Sequence, residues 1–268
     1  MLVLMEYGLL IFEQLSQVNY VRDLLHGVRA ALDALQELEP RRNVEDGTIE
    51  TWEAEKHTAG APLVEVRNAR PPFHLSGAYH LYIYRGQKIL LSGKSGKGKS
   101  TLFRMLVRLM DTAGGSILVN GRDIRDYRLD VLRREISYMP QFTYLINGTV
   151  LENILWGNEQ ADRKEAGELL RKAGLENSAC RNQGRIRNHG DNISGGERQR
   201  IGILRCILRK SRIYLFNEPF SNLDEENKRR MLELILEKCG EKTVLIISHD
   251  RIAEEYLREV MDIDEIFS

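Results

Sequence analysis

Gly93-Lys94-Ser95-Gly96-Lys97-Gly98-Lys99-Ser100 is the stretch from which the rest of the chain can be read. Its spacing is G-x-x-x-x-G-K-S. Residues 88–91 before it are short and mostly apolar, as in a buried strand, and residues 101–110 after it read as a helix. Strand, glycine-rich turn and helix start, in that order, form the context that a phosphate-binding loop requires. Glycines let successive backbone N–H groups curl around phosphate oxygens with no Cβ in the way. The helix N-terminus adds its partial positive charge. Gly93, Ser95, Gly96, Gly98 and Thr101 are then candidate nucleotide contacts. Lys99 reaches the β and γ phosphates, and the Ser100 hydroxyl ligates Mg2+. A strand-to-helix turn that binds nothing fits this context poorly. Alone, the loop points to a nucleoside triphosphate and leaves kinases and GTPases open.

Working outward, residues 63–66 and 80–84 read as strands, the second rich in β-formers. Residues 136–139, 213–216 and 244–247 are short apolar runs suited to buried parallel strands. Helical stretches lie between them, at 163–173, 197–208 and 225–238. Strands alternating with helices predict an α/β fold. Toward the N-terminus, residues 13–38 carry one apolar stripe, through Leu15, Val18, Val21, Val28, Leu32 and Leu35, at helical spacing. Pro40 stops that helix. Residues 41–61 are polar and read as a linker, which sets the domain boundary and gives three parts, 1–40, 41–61 and 62–268. Residues 1–12, MLVLMEYGLLIF, are apolar but broken by Glu6. They fall short of the roughly 20 residues a bilayer span needs. They also lack the basic start and small-residue cleavage site of a secretory signal. The end of a membrane helix, an interfacial helix and a buried helix all remain open.

Bulk composition narrows the classes. Of 268 residues, 42% are hydrophobic and 29% charged, enough core for a globular fold and against disorder. Lys plus Arg and Asp plus Glu balance at 39 each, which argues against a nucleic-acid partner. Cys180, Cys206 and Cys239 are odd in number and far apart. That spacing suits inert thiols better than a zinc site or a disulfide framework.

Asn192-Ile193-Ser194-Gly195-Gly196-Glu197-Arg198-Gln199-Arg200 narrows the class further. It is a second glycine turn before a helix, able to read a γ-phosphate with its amides. It resembles the signature of the ABC (ATP-binding cassette) family, usually LSGGQ, with Ile193 in the leucine place and Glu197 in the glutamine place. From about Leu63 onward the other motifs follow in the family's order. Gln141 resembles the Q-loop glutamine, and residues 147–154 resemble the stretch after it in exporter-type cassettes. Ser221-Asn222-Leu223-Asp224 looks like the D-loop. Glu218 resembles the catalytic glutamate that polarises the attacking water, and His249 the switch histidine that senses the γ-phosphate. Phe73 falls where such cassettes carry an aromatic that stacks on adenine, although a lone phenylalanine also suits a core.

The resemblance implies a P-loop NTPase core of ABC type with a helical signature subdomain, behind the N-terminal helical segment. It implies ATP and Mg2+ as ligands, with Ser100, Gln141 and the residue at 217 around the metal. Ser194, Gly195 and Gly196 of one copy would complete the phosphate-loop site of another, so the partner is a second cassette, the same or different. Transmembrane domains are the other implied partner, at the cytoplasmic face of the membrane. Three departures stand out. Asn217 occupies the place of the Walker B aspartate and lacks its charge. Residues 187–190 lack the glutamate usual before the signature in exporters. The chain after His249 is short, so the late elements of many cassettes are expected to be reduced or missing. An ATP-driven exporter is the leading reading. A hydrolysis-poor regulatory cassette and a soluble non-transport ATPase are the alternatives.

Overall fold

The structure is a computed structural model that describes residues 44–52, 60–73, 77–158, 161–176 and 184–267. The helical segment expected over 1–40 and Cys180 lie outside the described residues, which belong to one compact unit, Val44–Ser268.

Five parallel strands form the central sheet. β3 (Lys88–Ser92), β6 (Ile136–Met139), β9 (Ile213–Asn217), β10 (Thr243–Ile247) and β11 (Glu259–Asp262) run in the order β11-β3-β10-β9-β6. β9 and β10 are buried at every position, which is why they read as unbroken apolar runs. Their side chains alternate between two interiors. Leu90, Tyr214, Phe216, Val244 and Ile246 face one cluster. Ile89, Leu91, Ile213, Leu215, Leu245 and Ile247 face the other.

Four antiparallel strands form a second sheet, which orientation-blind sequence patterns do not distinguish. β1 (Val64–Arg70), β2 (Tyr79–Ile83), β4 (Gly114–Val119) and β5 (Arg122–Asp123) are ordered β2-β1-β4-β5. β2 alternates buried and exposed residues, the mark of a sheet with one wet face. The stretch between β6 and β9 carries the helices α3 (Val150–Leu155), α4 (Arg163–Lys172) and α5 (Gly195–Ile207). Side chains fix where these helices begin. Thr149 with Glu152, and Ser194 with Glu197, each form a reciprocal capping box, and Asp162 caps α4.

Two boundaries differ from the sequence reading. The helix after the phosphate loop, α1 (Lys99–Leu106), ends four residues before Met110. Arg108 leaves helical geometry with φ 48° and turns its side chain inward, 1% exposed. Its guanidinium donates to the carbonyls of Glu45 (2.6 Å) and Arg125 (3.3 Å) and pairs with Asp111 at 3.0 Å. Tertiary bonding there overrides a helix-favouring sequence. Residues 44–52, within the stretch read as linker, are docked on the cassette. The N–H groups of Thr48 and Ile49 both donate to the Asp126 carbonyl, at 2.9 and 2.8 Å, and Trp52 lies 5.2 Å from the Tyr127 ring. Beyond His249 the chain still forms a helix (Arg251–Tyr256), β11 as an edge strand beside β3, and a short helical turn (Ile263–Ile266).

Candidate functional site

Parallel order brings the carboxyl ends of β3, β10, β9 and β6 side by side, where α/β sheets place their ligands. A cavity of about 500 Å³ opens there. Ser95, Gly96, Gly98, Lys99, Ser100 and Thr101 line it from the loop after β3. Phe73, Gln141, Glu218 and His249 line it from elsewhere in the chain. Each of these was a candidate from sequence, and the fold collects them in one place. Gly93 stands behind the loop, and Asn217 reaches the site through Ser100.

The loop has the backbone that its glycines predict. Gly96 and Gly98 have φ of 83° and 95°, in the left-handed region that glycine enters without strain. Lys99 is only 6% exposed. Its ammonium donates to the carbonyls of Gly93 and, at 3.0 Å, Lys94, so it is held at the loop it would serve. Burial lowers the Lys99 pKa from its ordinary value, and the carboxylates of Glu218, Asp262 and Asp264 oppose that shift.

Ser100 Oγ donates to Asn217 Oδ1 at 3.1 Å, and Asn217 is 2% exposed. Gln141 lines the same cavity as Ser100, and the three residues expected around the metal offer neutral oxygens, which suit a hard cation such as Mg2+ more than a softer one. Among the described residues no cluster of three His, Cys, Asp or Glu could hold a metal. A dication held by Ser100, Gln141 and Asn217 would draw no countercharge from those three residues, and a nucleotide's phosphates would supply it. The residues fit Mg2+ arriving with a nucleotide better than Mg2+ bound alone.

Glu218 follows β9 with φ 52°, a strained conformation for a residue with a side chain. Its N–H donates to the Ile247 carbonyl at 2.9 Å. Its carboxylate lies 3.5 Å from His249 Nε2. Burial raises the Glu218 pKa above the usual carboxylate range; His249 and Lys99 pull it down, and Asp250 adds to the rise. A carboxylate poised in this way can accept a proton.

Ser194, Gly195 and Gly196 do not line this cavity. Ser194 and Gly195 are exposed at the start of α5, where Ser194 N donates to Glu197 Oε2 at 2.8 Å. That bond gives a physical reason for glutamate at 197. Asn222 backs the turn so closely that a Cβ on Gly196 would come within 2.8 Å of its carbonyl oxygen. Sequence reasoning missed Gln199 and Tyr79. Gln199, 3% exposed, donates to the Glu218 backbone carbonyl (3.2 Å) and to Ser221 Oγ (2.9 Å), tying the second glycine turn's helix to the backbone at Glu218. Tyr79 donates to the Gly98 carbonyl at 2.8 Å.

Known proteins share this architecture. The family described as ABC transporter matches residues 75–221. An ATP-dependent lipid A-core flippase of Vibrio parahaemolyticus is 32% identical over 255 residues, covering 92% of this chain and 43% of the flippase. A probable ABC transporter ATP-binding/permease protein of Haemophilus influenzae is 34% identical over 188 residues, 69% of this chain and 34% of that protein. The structure of a bacterial Atm1-family ABC exporter with ATP bound superposes with a TM-score of 0.73 at 25% identity, covering 90% of this chain and 43% of the exporter chain. The chain thus spans less than half the length of these relatives. With its two glycine turns placed as described and a family match over more than half its length, the chain belongs to the ABC transporter family.

Proposed function

We propose that this chain is the ATP-binding and ATP-hydrolysing cassette of an ABC exporter, working as one of a pair that encloses two ATP molecules. The observation that carries the reading is the convergence of Lys99, Ser100, Gln141, Glu218 and His249 on one cavity at the strand ends. Lys99 and the loop amides bind the β and γ phosphates. Ser100, Gln141 and Asn217 would hold Mg2+, which supplies positive charge to the phosphates when bound. Glu218 orients the attacking water and takes its proton, and His249 beside it senses the terminal phosphate. Phe73, 46% exposed at the cavity edge, is free to stack on adenine. Ser194, Gly195 and Gly196 do not line the chain's own cavity, Ser194 and Gly195 are exposed, and the turn would meet the nucleotide of a partner cassette.

Exporter rather than soluble factor is supported by the names of the relatives and by the order of segments proposed here. Residues 1–40 are the cytoplasmic end of a membrane domain, 41–61 lead to the cassette, and 62–268 are the cassette. Among the described residues no helix is long and apolar enough to cross a membrane. The cassette then works at the cytoplasmic face beside transmembrane domains. A second reading, a hydrolysis-poor cassette that completes a partner's active site, is favoured by one observation, the neutral Asn217 beside Ser100.

The test is to purify the chain and measure ATP turnover and ATP-dependent dimer formation, then its association with membranes in cells. Turnover, dimerisation and carbonate-resistant membrane association are expected. ATP-dependent dimers without turnover would select the second reading. A chain released entirely by carbonate would overturn the transport role.

A further inference from the structure

We infer that Tyr79 is a positioning residue for nucleotide binding: its hydroxyl, backed by the C-terminal turn, holds the phosphate loop in the shape that receives a triphosphate. The inference rests on residues 93–100 being the phosphate loop of the proposed function.

Tyr79 opens β2 in the antiparallel sheet and is fully buried. Its hydroxyl donates to the Gly98 carbonyl at 2.8 Å. The same carbonyl accepts the Leu102 N–H at 3.0 Å, so it is also the first acceptor of helix α1 (Lys99–Leu106). The Gly98 carbonyl and the Lys99 N–H belong to one peptide unit. That unit is planar and trans, so the two groups point in opposite directions. Pinning the oxygen toward Tyr79 therefore aims the Lys99 N–H away from it, as a phosphate loop needs. Gly98, at φ 95°, has no side chain to restrain it, so the orientation of this peptide rests on the two bonds its carbonyl accepts, from Leu102 N–H and from the Tyr79 hydroxyl. Burial pushes the phenol up to about 12, so the hydroxyl stays protonated and able to donate at neutral pH.

The hydroxyl is itself held from behind. The Phe267 ring packs 4.5 Å from the Tyr79 ring, and the two residues form an antiparallel bridge. The turn leading to Phe267 touches the loop twice more. Ile263 sits where a Cβ on Gly93 would be, 2.3 Å away, and Asp264 pairs with Lys97 at 3.1 Å. The loop is thus gripped at Gly93, Lys97 and Gly98 by residues outside the phosphate motif. A motif sets which groups can bind phosphate; these contacts set whether they are aligned beforehand, which saves the ordering cost of binding.

Tyr79→Phe keeps the ring and removes only the hydroxyl. One hydroxyl-to-carbonyl bond is worth about 1 kcal/mol, or roughly fivefold in affinity. The experiment measures ATP binding by titration and amide exchange by mass spectrometry, on the parent, on Tyr79→Phe and on Tyr82→Phe as an exposed control on the same strand. We expect the ATP Kd of Tyr79→Phe to rise about fivefold, with faster exchange confined to residues 93–102, and no change for Tyr82→Phe. An unchanged Kd overturns the inference. Faster exchange throughout the parallel sheet also overturns it, because Tyr79 would then be supporting the fold at large. If Tyr79→Phe does not fold, Phe267→Ala carries the test: weaker ATP binding supports the inference and equal binding overturns it. A parent chain that binds no ATP at all overturns the proposed function, and the inference falls with it. A parent that binds ATP while the variants bind equally well overturns the inference alone.

Discussion

Replacing Asn217 by aspartate puts a charge where the structure holds a neutral oxygen, and the two ligand states of the protein should respond in opposite directions. Asn217 ends β9 at 2% exposure and accepts from Ser100 Oγ at 3.1 Å. The carboxylate has the same size and can accept the same hydrogen bond, so geometry is preserved and charge is the perturbation. Without nucleotide, that charge is desolvated, with the Ser100 hydroxyl as its hydrogen-bond partner. An uncompensated buried charge costs about 3–5 kcal/mol. The neighbouring Lys99 ammonium offsets part of this, leaving a loss of about 2 kcal/mol. In a chain of this size each kcal/mol shifts the melting temperature by about 2–4 °C, so the free variant should melt roughly 4–8 °C below the parent. With Mg-ATP the sign reverses. Two unit charges near a protein surface attract by about 4 kcal/mol at close range, and a dication doubles that. Only about 1.4 kcal/mol need survive desolvation, and act on the transition state, for a tenfold gain in rate. The assay is melting with and without Mg-ATP, and steady-state hydrolysis against Mg2+ concentration, for the parent, Asn217→Asp and Glu218→Gln. If the aspartate variant is no faster and needs no less Mg2+, Asn217 is not a weakened metal ligand and the reasoning is wrong.

Lys99→Ala should weaken ATP binding on the order of 100-fold, the worth of about 3 kcal/mol of charge-assisted bonding; equal titration curves for variant and parent would refute its role. Ser194→Arg should abolish ATP-driven dimers while sparing ATP binding by the monomer, because Ser194 is exposed and off the chain's own cavity. Unchanged sedimentation with ATP would count against a shared site. Glu218→Gln should stop hydrolysis and change the pH dependence of stability. Burial raises the Glu218 pKa in the folded state. Such a group stabilises fully below its unfolded value, about 4.3, and that contribution is lost as pH rises through the folded value. Glutamine does not titrate, so the variant should match the parent near pH 4 and exceed it at pH 8. A stability offset that does not vary with pH would contradict the assigned cause.

The parallel strands were legible because burial on both faces leaves no room for polar residues, as in the run Ile213–Asn217 up to its last position. β4 was not. It opens with Gly114 and Gly115, residues depleted in strands, and Gly115 is there because a Cβ would come within 2.1 Å of the Asn68 carbonyl. The overrun of α1 past Leu106 has the same character: the capture of Arg108 by carbonyls distant in sequence leaves no local mark. In the site, Lys99 and Ser100 could be named from a motif of fixed spacing, and Gln141, Glu218 and His249 from the resemblance to the ABC family. Tyr79 could not, since a tyrosine in a strand reads as core and only its hydroxyl's partner says otherwise. Gln199 stood inside a recognised motif, yet its partners at 218 and 221 come from a different strand end.

The central sheet divides the unit into two interiors and is a wall common to both. Leu90 serves one side and its neighbours Ile89 and Leu91 the other, and the same alternation runs through β9 and β10. A one-residue slip of any of these strands would exchange the contents of both interiors at once. The helical portion between β6 and β9 therefore has no floor of its own, because its floor is the reverse side of the other half's ceiling. Excised as a fragment, it would expose Tyr214, Phe216 and their neighbours or lose them altogether. Calorimetry of the intact unit should then record a single endotherm, and proteolytic trimming should find no cut that releases either half folded.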